Sequence, residues 1–355
     1  MKRTSADTIA RLADALARDF TIMALDAPEA PLFLAIALPM DEGVTGLKPR
    51  LPAGRGMTTR AALIAAGAEA LELRASLAQH HVAELARLPR QDGLARVAAR
   101  DVLSQGEVLV LAQEVYLDCA AVLDEPLRHD ANSTGCAVGA DLDAALAGAV
   151  WECVERDAVA LWWHGGKPGA GLPLEVIDTH QPRLFWWLHQ RARRTILLDV
   201  TTDIGLPVVV AVSSELDGMC VAIGSAARPV LADAALAAVT EMVQTETGMD
   251  LAREAGDPEV LDWIAHASTR RQPQFQPAGP SVTADAQERG LTPLLTRLAA
   301  LGHRVLAVDL TLPDDPLPTI RALVPGLCAM RGQIDVPRFA RLCPGAMGPC
   351  LPEPY

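Results

Sequence analysis

Three stretches of the chain pair two polar side chains three residues apart, within runs rich in alanine and leucine. The pairs are Glu69 and Glu72, Glu152 and Glu155, and Glu241 and Gln244. This spacing places both side chains of a pair on one helix face, where two like charges destabilise an isolated helix by about 0.2–0.5 kcal/mol. Magnesium would reverse that sign, because it takes oxygen ligands and bridges carboxylates to phosphates. The pairs therefore indicate the magnesium of a nucleotide site, although a solvent-facing polar stripe explains the spacing alone equally well.

A turn of small residues precedes the second of these pairs. Residues 133–139 read STGCAVG, and such a turn, beginning at Ser133, lets backbone N–H groups approach a ligand closely. The chain has no P-loop motif, and no GxGxxG follows a predicted strand. Arg156, beside Glu155, and Arg55, between two glycines, carry the fork-shaped guanidinium that suits phosphate. A plain helix entry at the turn and surface ion pairs at both arginines are the alternative interpretations.

Hydrophobic spacing predicts the elements that would position these side chains. Apolar residues at helical intervals predict long helices over residues 59–77, 142–163 and 232–248, one for each pair. Apolar runs predict strands or extended segments at 32–38, 107–116, 118–123, 195–200, 206–212, 219–223, 304–310 and 319–324. Residues 270–285 are rich in Pro and Gln and predict a mobile loop. Helices interspersed with strands predict a mixed α/β protein of the α+β class.

Composition limits the classes of protein to which the chain can belong. Its 355 residues are half hydrophobic and carry a formal net charge of −13, with a pI of about 5.1. Such an acidic protein is unsuited to binding nucleic acid or an anionic membrane through its overall charge. Seven cysteines without a CxxC pair indicate reduced thiols, and the first residues lack the apolar run of a signal peptide. We therefore predict a cytoplasmic protein with no nucleic-acid or membrane partner.

The motifs, taken in order, resemble those of the YcaO family. STGCAVG followed by residues 152–158 (ECVERDA) resembles the central signature of that family, a small-residue turn before an ExxERDA helix. Residues 54–56 (GRG), ahead of residues 69–72 (EALE), are similar to its first block, and residues 240–245 (TEMVQT) to its third. Two framework pieces also fit, at residues 199–207 and 309–327. The resemblance spans roughly residues 50–330.

The resemblance implies a mixed α/β fold in which long glutamate-bearing helices pack on mixed sheets and hold ATP with magnesium ions. Cyclodehydratases of the family promote attack of a Cys, Ser or Thr side chain on the preceding amide of a ribosomally made precursor peptide. ATP phosphorylates the amide oxygen, and departure of phosphate leaves an azoline ring. Relatives use sulfide or an amine and make a thioamide or an amidine. The resemblance therefore implies an ATP-dependent enzyme that modifies such a peptide, with azoline formation expected first.

The resemblance also implies roles for individual residues. The expected ligands of magnesium and phosphate are Glu69, Glu72, Glu152 and Glu155. The other residues expected at the nucleotide are Arg55 and Arg156 as phosphate contacts, Ser133 beside the triphosphate, and Glu241 and Gln244 as nucleotide contacts.

Three parts of the chain follow from the composition and the resemblance. Residues 1–50 hold a helix and a strand that lead into or belong to the main domain, residues 50–342 form a YcaO-like domain, and residues 343–355 form a proline-rich tail. Many cyclodehydratases end in a PxPxP tail that reaches the active site. The final residues of this chain resemble the end of that PxPxP tail. The resemblance therefore implies that Pro352, Pro354 and Tyr355 are catalytic residues. A frayed terminus is the alternative.

Several polar residues of the family pattern are absent from this sequence. The position eight before Glu152 carries Ala144 where a glutamate is usual, and the basic residue of the first helix is replaced by Leu73. The two arginines expected in the third block are replaced by Ala237 and Glu246. Loss of cations weakens the binding of a triphosphate, and Glu246 would repel it. A YcaO-like scaffold that binds a peptide or a partner enzyme without using ATP is therefore the alternative function.

The start of the chain and its tryptophans bear on the expected partners. About fifty residues ahead of the main domain hardly suffice for an independent domain that binds a leader peptide. We therefore predict two partners, a precursor peptide and a separate protein that binds its leader. The paired tryptophans at 162–163 and 186–187 are expected in the core or at an interface. Such an interface would suit the homodimer or hetero-complex that the resemblance implies.

Overall fold

A computed structural model of the chain describes residues 5–25, 30–286, 290–329 and 334–346. Within these ranges the helices are α1 (Ser5–Leu16), α2 (Thr59–Ser76), α3 (Val82–Leu85), α4 (Ala112–Val115), α5 (Cys119–Val122), α6 (Leu142–Trp163), α7 (Pro182–Gln190), α8 (Leu231–Ala255), α9 (Pro258–His266), α10 (Leu291–Ala300) and α11 (Pro337–Leu342). The strands are β1 (Phe20–Leu25), β2 (Phe33–Pro39), β3 (Ala53–Gly56), β4 (Arg90–Gln91), β5 (Leu94–Asp101), β6 (Glu107–Leu111), β7 (Cys136–Val138), β8 (Ala170–Leu172), β9 (Arg193–Asp199), β10 (Val208–Glu215), β11 (Ala222–Ala227), β12 (Leu306–Asp309) and β13 (Thr319–Leu323). None of the helices described is long and apolar enough to cross a membrane.

The chain forms two compact units. Unit 1 comprises Met1–Asp26, Phe33–Val150 and Gly302–Pro325. Unit 2 comprises Ala27–Leu32, Trp151–Leu301 and Gly326–Tyr355. The division falls inside α6, between the turn of small residues that precedes the helix and the glutamate pair that the helix carries.

Unit 1 contains two antiparallel sheets. Strands β1, β2 and β3 form the smaller one in that order, and helix α2 packs on it. The larger sheet has the order β4-β5-β12-β13-β7, with β6 also paired to β5. Strands β12 and β13 come from the last part of the chain, yet β13 pairs with β7, the strand that follows Ser133. The small-residue turn is therefore held by a segment almost two hundred residues away in sequence.

Unit 2 is built on one antiparallel sheet of order β11-β10-β9-β8, against which α8 packs. Its core contains Trp162, Trp163, Trp263 and Phe275, whose neighbouring rings have centroids 5.5–6.0 Å apart. The first predicted tryptophan pair is thus in the core. Trp186 of the second pair is 58% exposed.

A buried ion pair joins the start of the C-terminal segment to α6 within unit 2. Arg338 on α11 is 3% exposed, and its Nε and Nη2 atoms each donate to the Asp157 carboxylate at 2.9 Å. The same carboxylate accepts the Cys328 N–H at 2.9 Å. Asp157 lies two residues after Glu155, so its contacts with Arg338 and Cys328 help to fix the rotation of the helix about its own axis.

The Pro- and Gln-rich segment is not a loose loop. Ala278 N–H donates to the Gly169 carbonyl, Gly171 N–H to the Gly279 carbonyl, and Ser281 N–H to the Gly171 carbonyl, over 2.6–2.9 Å. The segment therefore runs along β8, and the expectation of a mobile loop is wrong for this part. Pairing between segments a hundred residues apart leaves no local sequence signal, which is why composition misled the prediction.

Candidate functional site

A glycine lets β3 lie directly against α2 in unit 1. A Cβ atom at Gly54 would lie 2.1 Å from the Ala66 nitrogen and 2.5 Å from the Ala62 oxygen, so a larger residue would push the strand off the helix. Arg55 follows on the same strand, where it is half-buried and pairs in register with Leu34. Arg55, the predicted phosphate ligand, thus lies on a strand that packs directly against α2, the helix with the first glutamate pair.

The first glutamate pair lies on α2, and its two members differ in exposure. Glu69 is exposed, whereas Glu72 is half-buried. Oε1 of Glu72 accepts a hydrogen bond of 2.7 Å from the N–H of Val138, the last residue of β7. Glu72 therefore ties its helix to the strand behind the small-residue turn, and its carboxylate is held in place by backbone.

The small-residue turn is fixed by its own hydrogen bonds. Gly135 has a φ of 79°, in the left-handed region that favours glycine. Asn132 Oδ1 accepts the Thr134 N–H at 3.0 Å, and the Ser133 carbonyl accepts the Cys136 N–H at 2.9 Å. Ser133 itself is exposed. The predicted phosphate-facing residue thus sits at the open side of a rigid turn.

A buried arginine supports the turn from the protein interior. Arg321 on β13 is 3% exposed and donates to the carbonyls of Asn132 at 2.7 Å and Glu114 at 3.2 Å. In a planar trans peptide the C=O and N–H groups point in opposite directions, so the Ser133 N–H points away from Arg321. Neither this N–H nor the Ser133 hydroxyl bonds to another residue in the described part of the chain. The turn therefore presents two donors outwards, as an anion requires. In the sequence, Arg321 falls only within the framework motif at residues 309–327.

The second glutamate pair lies on α6 in unit 2, and Glu155 is its buried member. Its side chain is 9% exposed, and Oε1 accepts the Ser225 hydroxyl at 2.7 Å while Oε2 accepts the Ala227 N–H at 3.2 Å. Both donors lie on β11. Nη1 of Arg156 lies 3.2 Å from Oε1. No sequence motif had singled out Ser225, because its role depends on the pairing of a distant strand.

Glu155 lies among like charges. Burial raises its pKa most, Arg156 lowers it, and the charges of Glu241 and Glu152 raise it further, to about 7. Burial lowers the pKa of Arg156, but the attraction of Glu155, Glu152 and Glu241 outweighs this and raises it above its usual value. Arg156 also lies 3.5 Å from Glu152, whose side chain is 23% exposed. Arg156 thus lies among three carboxylates, and a divalent cation would further reduce the repulsion between them.

The third pair lies on α8, which contacts β11 as closely as α2 contacts β3. A Cβ atom at Gly224 would lie 2.2 Å from the Met242 nitrogen. Glu241 and Gln244 are half-buried on this helix, and Glu241 is near enough to act on the pKa of Glu155. The two glutamate-bearing helices of unit 2 are thus brought together around Glu155.

Glu246 is not an isolated negative charge. Its carboxylate lies 2.7 Å from Nη1 of Arg191 and 3.4 Å from Nε of Arg193, and it accepts the Ser213 hydroxyl. Two arginines compensate the charge, so the repulsion of phosphate expected from the sequence does not follow. Glu246 stands where the family pattern has an arginine, and Arg191 and Arg193 of the same unit balance its negative charge.

The predicted site residues therefore fall into two groups. Those in unit 1 are Arg55, Glu69, Glu72 and Ser133, and those in unit 2 are Glu152, Glu155, Arg156, Glu241 and Gln244. Within unit 2, the glutamates and Arg156 form one electrostatic cluster. The predicted catalytic residues of the tail, Pro352, Pro354 and Tyr355, lie outside the described residues.

The carboxylates of unit 2 suit a magnesium ion that brings other ligands with it. In the described ranges, no group of three His, Cys, Asp or Glu side chains is arranged to hold a metal by itself. Magnesium rarely needs one, since it usually takes one or two carboxylates and completes its octahedron with waters and phosphate oxygens. Glu152 and Glu155, beside Arg156, fit a magnesium ion that arrives with a phosphate.

Comparison with known proteins identifies the family of the chain. A family model described as YcaO cyclodehydratase, ATP- and Mg²⁺-binding, matches residues 77–328. The chain belongs to the YcaO family. The matched range contains the Ser133 turn, α6 and α8, while Arg55 and α2 lie ahead of it. The predicted family and mixed α/β fold are confirmed.

Individual relatives agree with this assignment. An uncharacterized protein in the tfuA 3′ region of Rhizobium leguminosarum bv. trifolii is 28% identical over 326 residues, which cover 77% of this chain and 76% of that protein. A heterocyclase solved in complex with substrate and cofactor has a TM-score of 0.81 at 19% identity, covering 99% of this chain and 57% of its own. YcaO from Methanopyrus kandleri, bound with AMPPCP and Mg²⁺, has a TM-score of 0.70 at 20% identity, covering 92% and 91%. The chain thus spans little more than half the length of the heterocyclase, and the structural likeness is one of fold.

Proposed function

We propose that this chain uses ATP and Mg²⁺ to activate backbone amides of a ribosomally synthesised precursor peptide, with azoline rings as the expected product. The observation that carries the proposal is the cluster of Glu152, Glu155 and Glu241 around Arg156. Carboxylates that raise one another's pKa are stabilised by a divalent cation, and the arginine among them suits a phosphate. The family description names the same two ligands, ATP and Mg²⁺.

The residues of unit 2 divide the work between them. When bound, ATP would supply the phosphoryl group that turns an amide oxygen into a leaving group. Glu152 and Glu155 would hold magnesium, and Arg156 would neutralise the charge that grows on the phosphate as it departs. Ser225 and Ala227 keep the Glu155 carboxylate in one orientation, so that little reorganisation is needed at the moment of reaction.

The predicted roles of the remaining residues are part of the proposal. Arg55, Glu69, Glu72 and Ser133 are proposed as phosphate or metal ligands, and Glu241 and Gln244 as nucleotide contacts. The free Ser133 donors support its assignment, because an N–H and a hydroxyl pointing outwards can both bind a phosphate oxygen. The tail residues Pro352, Pro354 and Tyr355 are proposed to act at the site.

The nucleophile decides the product. A Cys, Ser or Thr side chain of the peptide would give an azoline with loss of one water, whereas sulfide or an amine would give a thioamide or an amidine. We propose a separate protein that presents the leader of the peptide, in a homodimer or hetero-complex. The cysteines described are free thiols, which supports the proposed cytoplasmic location.

Calorimetric titration with MgATP tests the nucleotide site. We expect saturable binding by the wild type and a loss of at least about tenfold in the Glu152→Gln, Glu155→Gln double variant. Glu254→Gln, an exposed position on α8, is the matched control and should bind as the wild type does. Equal affinity in all three proteins would show that Glu152 and Glu155 do not hold the nucleotide. No binding by the wild type, even with peptide and partner present, would support the ATP-independent scaffold instead.

Mass spectrometry of a precursor peptide tests the reaction. Incubation with MgATP and the leader-binding partner should produce a peptide lighter by one water per ring. The double variant should leave the peptide unchanged, while Glu254→Gln should modify it. A mass change that persists without ATP would contradict the proposed mechanism.

A further inference from the structure

One arginine of unit 2 departs from the pattern that its other shielded arginines follow. The arginines of the unit that are described and not exposed are Arg156, Arg191, Arg193, Arg228 and Arg338. Four of them pair with carboxylates: Arg156 with Glu155, Arg191 and Arg193 with Glu246, and Arg338 with Asp157. Arg228 pairs with no carboxylate among the described residues. A half-buried cation without a counter-ion has lost hydration and has received no ion pair in return.

Arg228 lies beside the carboxylate cluster. It directly follows Ala227, whose N–H donates to Glu155 at 3.2 Å. Its guanidinium carbon lies 5.8 Å from the ring centre of Trp151. Trp151 precedes Glu152 by one residue and Glu155 by four, so ring and glutamate share a face of α6. The Ala227 carbonyl and the Trp151 ring therefore hold this cation near the helical turn that carries Glu152 and Glu155.

The donors of Arg228 are mostly unused. One Nη1 hydrogen bond, of 2.7 Å, goes to the carbonyl of Ala227, and no other acceptor in the described part of the chain receives one. A guanidinium has five N–H donors in a planar fork, which matches the oxygens of a phosphate. The carboxylate of Glu155 accepts Ser225 and Ala227 and has Arg156, not Arg228, as its cationic partner. The open donors therefore suit an anion that comes from outside the chain.

We propose that Arg228 binds the β- and γ-phosphates of the nucleotide. The inference rests on the proposed function and extends it, because residue 228 lies outside every motif that marked the site. A chain with a net charge of −13 does not attract a triphosphate by its overall field, so a local cation is needed. Arg228 supplies one in the unit where Ala237 and Glu246 do not. The Trp151 ring orients the guanidinium by a cation–π contact while leaving its edge open.

Calorimetry on the full chain with MgATP and with AMP tests the assignment. Arg228→Gln should weaken MgATP about tenfold or more, since a hydrogen-bonded charge is lost, and should weaken AMP, which lacks the β- and γ-phosphates, much less. Arg228→Lys should fall between the two because it keeps the charge and loses the fork. Arg194→Gln on β9, exposed and unpaired among the described residues, has the same change of charge and should bind as the wild type does. Thermal unfolding midpoints of all four proteins report whether each variant is folded.

The outcomes separate this inference from the function on which it rests. Binding that is lost in the Glu152→Gln, Glu155→Gln variant but kept in Arg228→Gln would overturn the inference alone. An equal loss for AMP and MgATP would also overturn it, because the arginine would then not touch the outer phosphates. A wild type that binds no nucleotide would overturn both. If Arg228→Gln does not fold, a wild-type affinity in Arg228→Lys is the overturning result, since the fork would then be irrelevant.

Discussion

Glu72 in unit 1 and Glu155 in unit 2 are anchored in the same way but stand in different surroundings. Each is the second member of its pair, and each accepts an N–H from the last residue of a strand, Val138 of β7 or Ala227 of β11. Glu72 is half-buried, whereas Glu155 is buried and shares its place with two further carboxylates. A hydrogen bond from the end of a strand thus fixes both carboxylates, and the burial and charges around each one decide how much free energy its ionised form costs.

The helices that carry these glutamates are seated alike as well. Gly54 of β3 and Gly224 of β11 each face the backbone of a glutamate-bearing helix, with room for a hydrogen and none for a methyl group. The same close contact between a strand glycine and a helix recurs in both units, although the sequences around the two glycines differ. Close contact between strand and helix is therefore a condition for both glutamate positions, whatever charge surrounds them.

The largest expected effect comes from replacing Gly54 and Gly224, the glycines at which a strand packs against a glutamate-bearing helix. Gly54→Ala and Gly224→Ala should each lower the free energy of unfolding by about 3 kcal/mol, because the new methyl group meets helix backbone that cannot yield. Gly248→Ala is the matched control, since its Cβ meets nothing within 4 Å inside α8, and it should stabilise the protein by about 0.5–1 kcal/mol. Urea unfolding measures all three. A loss of stability in only one of the Gly54→Ala and Gly224→Ala variants would contradict the comparison between the units.

The next effect depends on pH and concerns Glu155. Its pKa of about 7 in the folded protein exceeds the 4.5 of an unfolded chain, so the folded state binds the proton more tightly. The resulting stability is complete below pH 4.5 and is lost as the pH rises through 7. Without metal or nucleotide, Glu155→Gln should therefore exceed the wild type at pH 8 by up to about 3 kcal/mol in free energy of unfolding, and by little near pH 4.5.

Glu72→Gln sharpens this contrast. Its carboxylate accepts the Val138 N–H, and the glutamine can accept the same bond only as a neutral group, so we expect a loss of about 1 kcal/mol. Urea unfolding of both variants at pH 5 and pH 8 measures the difference. If Glu155→Gln were less stable than the wild type at pH 8, the prediction would be wrong. The hydrogen bonds and ion pair of the Glu155 carboxylate would then outweigh the cost of its burial among like charges.

A smaller effect is expected at Arg321, in ligand binding. Arg321→Lys keeps the charge but cannot reach both the Asn132 and the Glu114 carbonyl, so the Ser133 N–H is less firmly directed outwards. MgATP affinity should fall about fivefold, as expected for the partial loss of one directed donor. Val308→Ala on β12, the register partner of Arg321, lowers stability without touching the turn and should leave the affinity unchanged. Equal affinities in the two variants would show that the turn does not depend on its arginine.

Long periodic elements were predictable from sequence. The predicted helix at 142–163 coincides with α6, and that at 59–77 ends one residue later than α2. The predicted helix at 232–248 stops too early, since α8 continues through Gly248 to Ala255. One glycine lowers helix stability by only about 1 kcal/mol, which packing easily offsets.

Short elements and the electrostatics of the site were less predictable. Residues 118–123 were expected to be extended, yet α5 occupies Cys119–Val122. The strand expected at 219–223 lies at Ala222–Ala227, because small residues such as Ser225 become a strand only by pairing with β10. The motifs marked Glu155 and Arg156 as a pair. They could not mark Ser225, Arg228 or Arg321, whose roles depend on strands that meet only in the folded chain.

The segment along β8 has a practical consequence for anyone who handles this protein. Strand β8 is the last in its sheet, and an uncovered edge strand offers its N–H and C=O groups to any other chain. Gly279 and Ser281 occupy part of that edge through their bonds to Gly171. A purification tag or a reporter domain inserted at this polar, proline-rich place would uncover the edge and invite sheet-to-sheet aggregation, so such a fusion belongs elsewhere on the surface.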